Sequence, residues 1–212
     1  MWTKRALGWI ALAVTALFFM GMLTVVRTLV KQRYGQSPSI LQSEGGITRL
    51  EPARPVANFT LTASTDETVS LADYRGKTVV LAFGYTHCPD VCPLTLMDFA
   101  RIHKALGEHA EQVAFVFISV DGERDTPERL AQYLETRQVS QTVTALTGTE
   151  GELRRVGVDY GLYFEKNYNS GSQANYLVDH TASYFVVNEQ QELEAIVSFG
   201  TSTETVINYL HG

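Results

Sequence analysis

Two patterns of apolar residues divide this chain. Residues 6–26 are 21 consecutive positions without a formal charge, and only Gly8, Thr15, Gly21 and Thr24 interrupt their apolar character. As a helix, a run of that length spans about 30 Å, the hydrocarbon thickness of a bilayer. A cleaved signal peptide would carry a shorter apolar region, about 7–15 residues, followed by a small-x-small site. Here the run leaves through Val25, Val26 and Arg27. The pattern therefore predicts a single transmembrane anchor over residues 6–26, behind a short tail of residues 1–5. Lys4 and Arg5 on one side nearly balance Arg27, Lys31 and Arg33 on the other, so charge alone does not orient the span.

Beyond the anchor, residues 27–52 are rich in Ser, Gln, Gly and scattered charge, which predicts a linker. A domain is expected over residues 53–212. Its apolar pattern alternates between strand and helix. A short strand is expected at 59–63 and a turn at 70–74. The continuous apolar, β-branched runs Thr78–Phe83 and Val113–Val120 predict strands buried on both faces. Leu94, Met97, Ile102 and Leu106 keep helical spacing over 89–106, and Gly107 ends the helix. Thr126-Pro127-Glu128 opens a second helix with a hydroxyl cap, a proline at the first helical position and an acid. A short strand at 143–146 and a short helix at 151–158 follow. The strands at 184–187 and 195–199 are read as a hairpin through residues 188–191, and 203–210 as a closing helix. The segment from Tyr163 to Asp179 is read as a long polar and aromatic loop. This order predicts an α/β fold, a thioredoxin-like sandwich preceded by a single N-terminal transmembrane helix.

Composition adds two exclusions. With 212 residues and two cysteines, the chain has no need of a disulfide scaffold and could not build one. The formal charge of −6 divides into +4 over residues 1–52 and −10 over residues 53–212. An acidic domain argues against a nucleic-acid partner, which would need a basic face.

Both cysteines fall in the turn between the first buried strand and the first long helix, within Gly84-Tyr85-Thr86-His87-Cys88-Pro89-Asp90-Val91-Cys92-Pro93. Cys88 is expected at the helix start, where free backbone N–H groups favour a thiolate. Cys92 lies one turn on. Thioredoxin-type dithiols have two intervening residues, whereas three separate these. On a regular helix the β-carbons of residues four apart are about 5–6 Å apart, against about 3.8 Å in a disulfide. A metal held between two thiolates tolerates the wider gap better. Such a soft pair points to Cu(I), or to zinc if more ligands join. Among five histidines, His103, His109 and His211 are expected far from the thiols, and His87 is expected to point elsewhere. His180, just before the final hairpin, is the best-placed third ligand on topology. Asp90 and Asp179 flank these residues, able to orient or tune them or simply to be solvated acids.

These motifs make the domain, from about residue 55 to 210, resemble the Sco/SenC family of membrane-anchored, copper-binding thioredoxin-fold proteins. The resemblance rests on the segment 84–93, on Val178-Asp179-His180-Thr181-Ala182 and on Arg124-Asp125-Thr126-Pro127-Glu128. The family's usual Asp-Pro ahead of the last motif is Asp121-Gly122 here. The resemblance implies one copper, as Cu(I) or Cu(II), bound by Cys88, Cys92 and His180. It implies a chaperone that assists assembly of the dinuclear copper site of cytochrome c oxidase. The alternative role is a thiol–disulfide oxidoreductase that reduces that site's cysteines, or those of another exported protein, through Cys88 and Cys92. Implied partners are the copper-site subunit of the oxidase and another copper chaperone or a thiol reductase. The implied location is the bacterial inner membrane, with the C-terminal domain in the periplasm and the tail of residues 1–5 in the cytoplasm.

Overall fold

The computed structural model describes residues 15, 17, 19–28, 39–168 and 176–212, without the side chains of residues 39–44 and of His180. The chain divides into two units, residues 1–39 and residues 40–212. In the first, the described residues 15, 17 and 19–28 are helical. Among the described residues no helix is long and apolar enough to cross a membrane. Most of the predicted anchor, residues 6–14, 16 and 18, lies outside the described residues, as does the tail 1–5.

The second unit runs β1 (Ser39–Glu44), β2 (Ile47–Pro55), β3 (Thr60–Ala63), β4 (Thr68–Ser70), a 3-10 turn (Leu71–Tyr74), β5 (Thr78–Gly84) and α1 (Val91–Leu106). After a second 3-10 turn it continues through β6 (Val113–Ser119), α2 (Pro127–Thr136), β7 (Val143–Thr147) and α3 (Glu150–Tyr160). It ends with β8 (Phe164–Asn167), β9 (Leu177–His180), β10 (Ser183–Val187), β11 (Glu192–Ser198) and α4 (Thr203–Leu210). Nine strands form one sheet in the order β1-β2-β11-β10-β5-β6-β7-β3-β4. The central pairs β5–β6 and β6–β7 are parallel, and β10 is antiparallel to both β5 and β11.

The two faces of this sheet are covered by different helices, as a sandwich requires. On one face Phe99 of α1 meets Phe115 and Tyr184, and Tyr133 of α2 meets Phe117. On the other, Tyr160 of α3 meets Phe83 and Phe185 edge-on at 5.5 and 5.3 Å. Strands β5 and β6 are therefore buried on both sides, which is why their sequences are continuous apolar runs. The predicted α/β thioredoxin-like sandwich is the fold observed. Local signals hold at the helix ends: Thr126 caps α2 with Pro127 at its first position, and Thr149 and Glu152 make a reciprocal capping box on α3.

Two segments correct the sequence reading. Residues 39–52, assigned to the linker, belong to β1 and β2, with Ile47 and Leu50 in the core. The domain's sheet therefore begins at Ser39 rather than at residue 53. The expected loop 163–179 contains β8 and most of β9, a two-stranded sheet of their own in which Phe164 opposes His180. Gly122, where the family pattern has proline, sits against the 147–149 turn. A β-carbon there would lie 1.9 Å from the Gly148 carbonyl oxygen, so this position admits no side chain.

Candidate metal centre

The C-terminal ends of β5 and β6 are adjacent and in register, with Gly84 beside Ser119. At such an edge the chain must turn away, and its polar backbone needs partners. Asp125, fully buried, supplies them. Its carboxylate accepts from the Thr86 N–H at 2.8 Å, the Thr86 hydroxyl at 2.6 Å and the Ser119 hydroxyl at 2.6 Å. These bonds fix the residues just ahead of Cys88. The Cys88 N–H in turn donates to the Tyr85 carbonyl. Asp125, Thr86 and Ser119 were not singled out from the sequence; the signal was an acid immediately before the Thr126 cap, with a hydroxyl residue just beyond or at the end of each central strand.

Helix α1 starts at Val91, later than expected, so Cys88 lies in the preceding turn and Cys92 within the first helical turn. This corrects the expectation that the helix start acts on Cys88. It also removes the regular-helix objection to close approach of the sulfurs: both cysteines are reduced, and Cys88 is the chief influence on the ionisation of Cys92. Cys92 is buried and Cys88 half-buried. The bond to Cys88, burial and the neighbouring Cys88 charge push the Cys92 thiol far up, so it is protonated at neutral pH. Capture of a soft cation must displace that proton.

Gly84 makes room for this sulfur. A β-carbon at that position would lie 2.7 Å from Cys92 Sγ and 2.6 Å from the Phe117 ring. Gly84→Ala is expected to cost about 1–3 kcal/mol through overpacking, and to speed alkylation of Cys92 by displacing it from its pocket. Urea unfolding and iodoacetamide kinetics check this; a stability and an alkylation rate equal to wild type would show that Phe117 and Cys92 yield freely.

His180 ends β9. After Thr181 and Ala182, β10 begins, and Tyr184 of β10 pairs with Ala82 of β5. The β9–β10 junction is thereby at the same sheet end as the thiol turn. Tyr85 links the two: it is buried, and its hydroxyl bonds to the Val178 backbone. Burial raises its ionisation range, opposed by that bond, with the two nearby thiols adding to the rise. The structure thus brings Cys88, Cys92 and the backbone of His180 to one end of the sheet. The His180 side chain lies outside the described atoms.

The remaining candidates are placed as follows. Asp90 is exposed, occupies the N-cap of α1 and makes no capping bond with its side chain. Asp179 is exposed and accepts from Asn167 at 3.3 Å. His87 turns toward the acidic hub, with Nδ1 at 3.1 Å from the Thr86 hydroxyl oxygen and 3.8 Å from Asp125. His87, Asp121 and Asp125 have possible ligand atoms within 4.8 Å of one another, but the two carboxylates already accept bonds from Thr86, Ser119, Arg124 and Tyr176. His103 is in the last turn of α1, and His109 bonds the Leu210 carbonyl beside His211.

Two reduced cysteines in one turn, with a glycine that clears space for one sulfur, fit a soft metal ion. Comparison with known proteins leads in the same direction. The family model SCO1/SenC matches residues 48–212. An Arabidopsis thaliana mitochondrial SCO1 homolog 2 is 34% identical over 136 residues, covering 64% of this chain and 48% of that protein. The human mitochondrial SCO1 homolog is 33% identical over 136 residues, covering 63% and 44%. The chain thus spans about half the length of these curated relatives. A copper-bound ScoI structure from Bradyrhizobium japonicum is 30% identical with a TM-score of 0.66, covering 74% of this chain and 98% of its own. The apo Sco1 solution structure from Thermus thermophilus is 34% identical with a TM-score of 0.70, covering 82% and 98%. This chain belongs to the SCO1/SenC family.

Proposed function

We propose that the protein is a copper chaperone that binds one copper through Cys88, Cys92 and His180 and assists assembly of the dinuclear copper site of cytochrome c oxidase. The observation that carries this reading is the pair of reduced cysteines, Cys92 in space that Gly84 leaves clear, at the same sheet end as the β9–β10 junction. Copper is the cargo. Two thiolates suit Cu(I), and a histidine nitrogen lets the same site accept Cu(II). In this reading a partner's cysteines displace the ligands one at a time, and Asp90 and Asp179 at the rim orient or tune them. The copper-bound relative supports the choice of metal. The anchor at residues 6–26 and the periplasmic placement of the domain belong to the same proposal, as do the oxidase's copper-site subunit and a copper donor or thiol reductase as partners.

The cysteine pair also favours a second reading, a thiol–disulfide oxidoreductase acting on the cysteines of that site or of another exported protein. Cys88 lies ahead of the helix, which begins at Val91, so regular helical spacing does not hold the two cysteines apart, and such a pair is a candidate disulfide.

Copper titration of the full-length chain separates the readings. One equivalent is expected, lost in Cys88→Ser and Cys92→Ser and bound more weakly in His180→Ala. An unchanged stoichiometry and affinity in all three variants would refute the site. Disulfide-reductase activity in metal-free protein that has no affinity for copper would replace the chaperone by the oxidoreductase.

A further inference from the structure

The β8–β9 hairpin is not part of the nine-stranded ladder, so strand hydrogen bonds to the main sheet do not fix its position. Its carriage of His180 makes that position matter. Side chains from the β6–α2 turn supply the fixing contacts. The Arg124 guanidinium lies 3.5 Å over the Tyr176 ring, and its Nη1 donates to the Tyr176 carbonyl at 3.0 Å. The Tyr176 hydroxyl donates to Asp121 at 2.5 Å, and Arg124 Nε donates to the other oxygen of the same carboxylate. The three groups close on each other, each bonded to both of the others. Asp121 and Tyr176 are 1% and 5% exposed. A planar, desolvated guanidinium stacked on an aromatic face is among the stronger cation–π arrangements. Outside this triangle, half-buried Lys166 of β8 pairs with the exposed carboxylates of Glu123 at 2.8 Å and Glu150 at 3.5 Å, solvent-screened contacts of small worth.

We infer that Asp121, Arg124 and Tyr176 form a clasp that docks the β8–β9 hairpin on the domain and so sets where β9 presents His180 to the two thiols. They are positioning residues, and the inference rests on the reading of His180 as a ligand. Tyr176 immediately precedes β9 and His180 ends it, four residues or about 13 Å along extended backbone. A strand of that length transmits a displacement at one end to the other. The Tyr85–Val178 bond joins the middle of the same strand to the thiol turn. Gly122, between Asp121 and Arg124 in sequence, allows this segment to press against the Gly148 carbonyl.

The test uses the full-length chain, with copper(I) supplied against a chromogenic chelator and amide exchange followed by mass spectrometry in the metal-free protein. Tyr176→Phe removes one hydroxyl, and Arg124→Lys keeps the charge but loses the planar stack. Each is expected to weaken copper(I) binding by roughly tenfold or more, and to speed exchange of the 177–180 amides while those of β5 and β6 stay protected. With Cu(II), each is expected to shift the thiolate charge-transfer band toward that of His180→Ala. In a His180→Ala background, Arg124→Lys is expected to cost no further affinity. Unchanged 177–180 exchange in both variants overturns the clasp. So does an equal loss of affinity with and without His180, which would mean that Arg124 acts through the thiols or the fold at large. Unchanged copper binding in His180→Ala alone is a different failure: it refutes the ligand assignment, and with it the clasp's role toward the metal, while the exchange data still report whether the hairpin is docked.

Discussion

Asp125→Ala is expected to destabilise the domain by roughly 3–9 kcal/mol, because three buried donors lose their acceptor and each costs about 1–3 kcal/mol when left unpaired. The donors are the Thr86 N–H, the Thr86 hydroxyl and the Ser119 hydroxyl, all on residues at most 6% exposed. They lie at or just beyond the ends of the central strands, and of the three only the Thr86 hydroxyl has a second possible acceptor at hand among the described residues, His87 Nδ1 at 3.1 Å. Asp125→Asn keeps the volume but turns an acceptor into a donor aimed at donors, so it is expected to lose part of the same amount. The consequence reaches the metal centre, since Thr86 stands two residues before Cys88. Urea unfolding measures the first effect and the rate of Cys88 alkylation the second. A loss below about 1 kcal/mol for the alanine variant would show that water satisfies the three donors and that Asp125 is not what fixes the turn.

The second large effect concerns where the domain begins. A chain starting at Ala53 is expected to be less stable than one starting at Ser39 by about 3–6 kcal/mol, from the lost burial of Ile47 and Leu50 alone at about 1.5–3 kcal/mol each. The cut also removes most of β2 from its pairing with β11, which runs from Ile47 opposite Val197 to Pro55 opposite Glu192. That exposes a new sheet edge, and edges recruit other chains. The shorter chain is therefore expected to aggregate on heating. Equal unfolding midpoints and slopes for the two chains would show that β1 and β2 add nothing to the fold.

What the sequence revealed and what it hid follow from how each segment is buried. Strands β5 and β6 are covered on both faces, so their apolar runs stood out. So did α2 and α3, whose caps are local in sequence. Strand β2 was missed because its partner strand is irregular: the register with β11 jumps from Arg54 opposite Leu193 to Arg49 opposite Ala195. Its two core residues, Ile47 and Leu50, are three apart, which is neither a strand period nor a sustained helical one. The β8–β9 hairpin was hidden by its length, four residues per strand, and by strands that pair only with each other. Phe164, Tyr176 and Val178 are its buried residues, too sparse to signal alternation. At the metal centre the two thiols were conspicuous as the chain's sole cysteines. The Asp125 hub and the Arg124–Tyr176 stack were not, since Asp125 lies 39 residues from Thr86 and Arg124 lies 52 from Tyr176. Such contacts follow from topology rather than from local pattern.

The central claim is that one copper is held by two sulfurs and one imidazole nitrogen of this chain. X-ray absorption at the copper edge, on the full-length protein loaded with one equivalent, addresses it most directly. The predicted spectrum contains two sulfur scatterers and one histidine nitrogen, with the nitrogen contribution lost in His180→Ala and a sulfur lost in Cys92→Ser. A wild-type spectrum of nitrogen and oxygen scatterers without sulfur, or one unaltered by both substitutions, would contradict it.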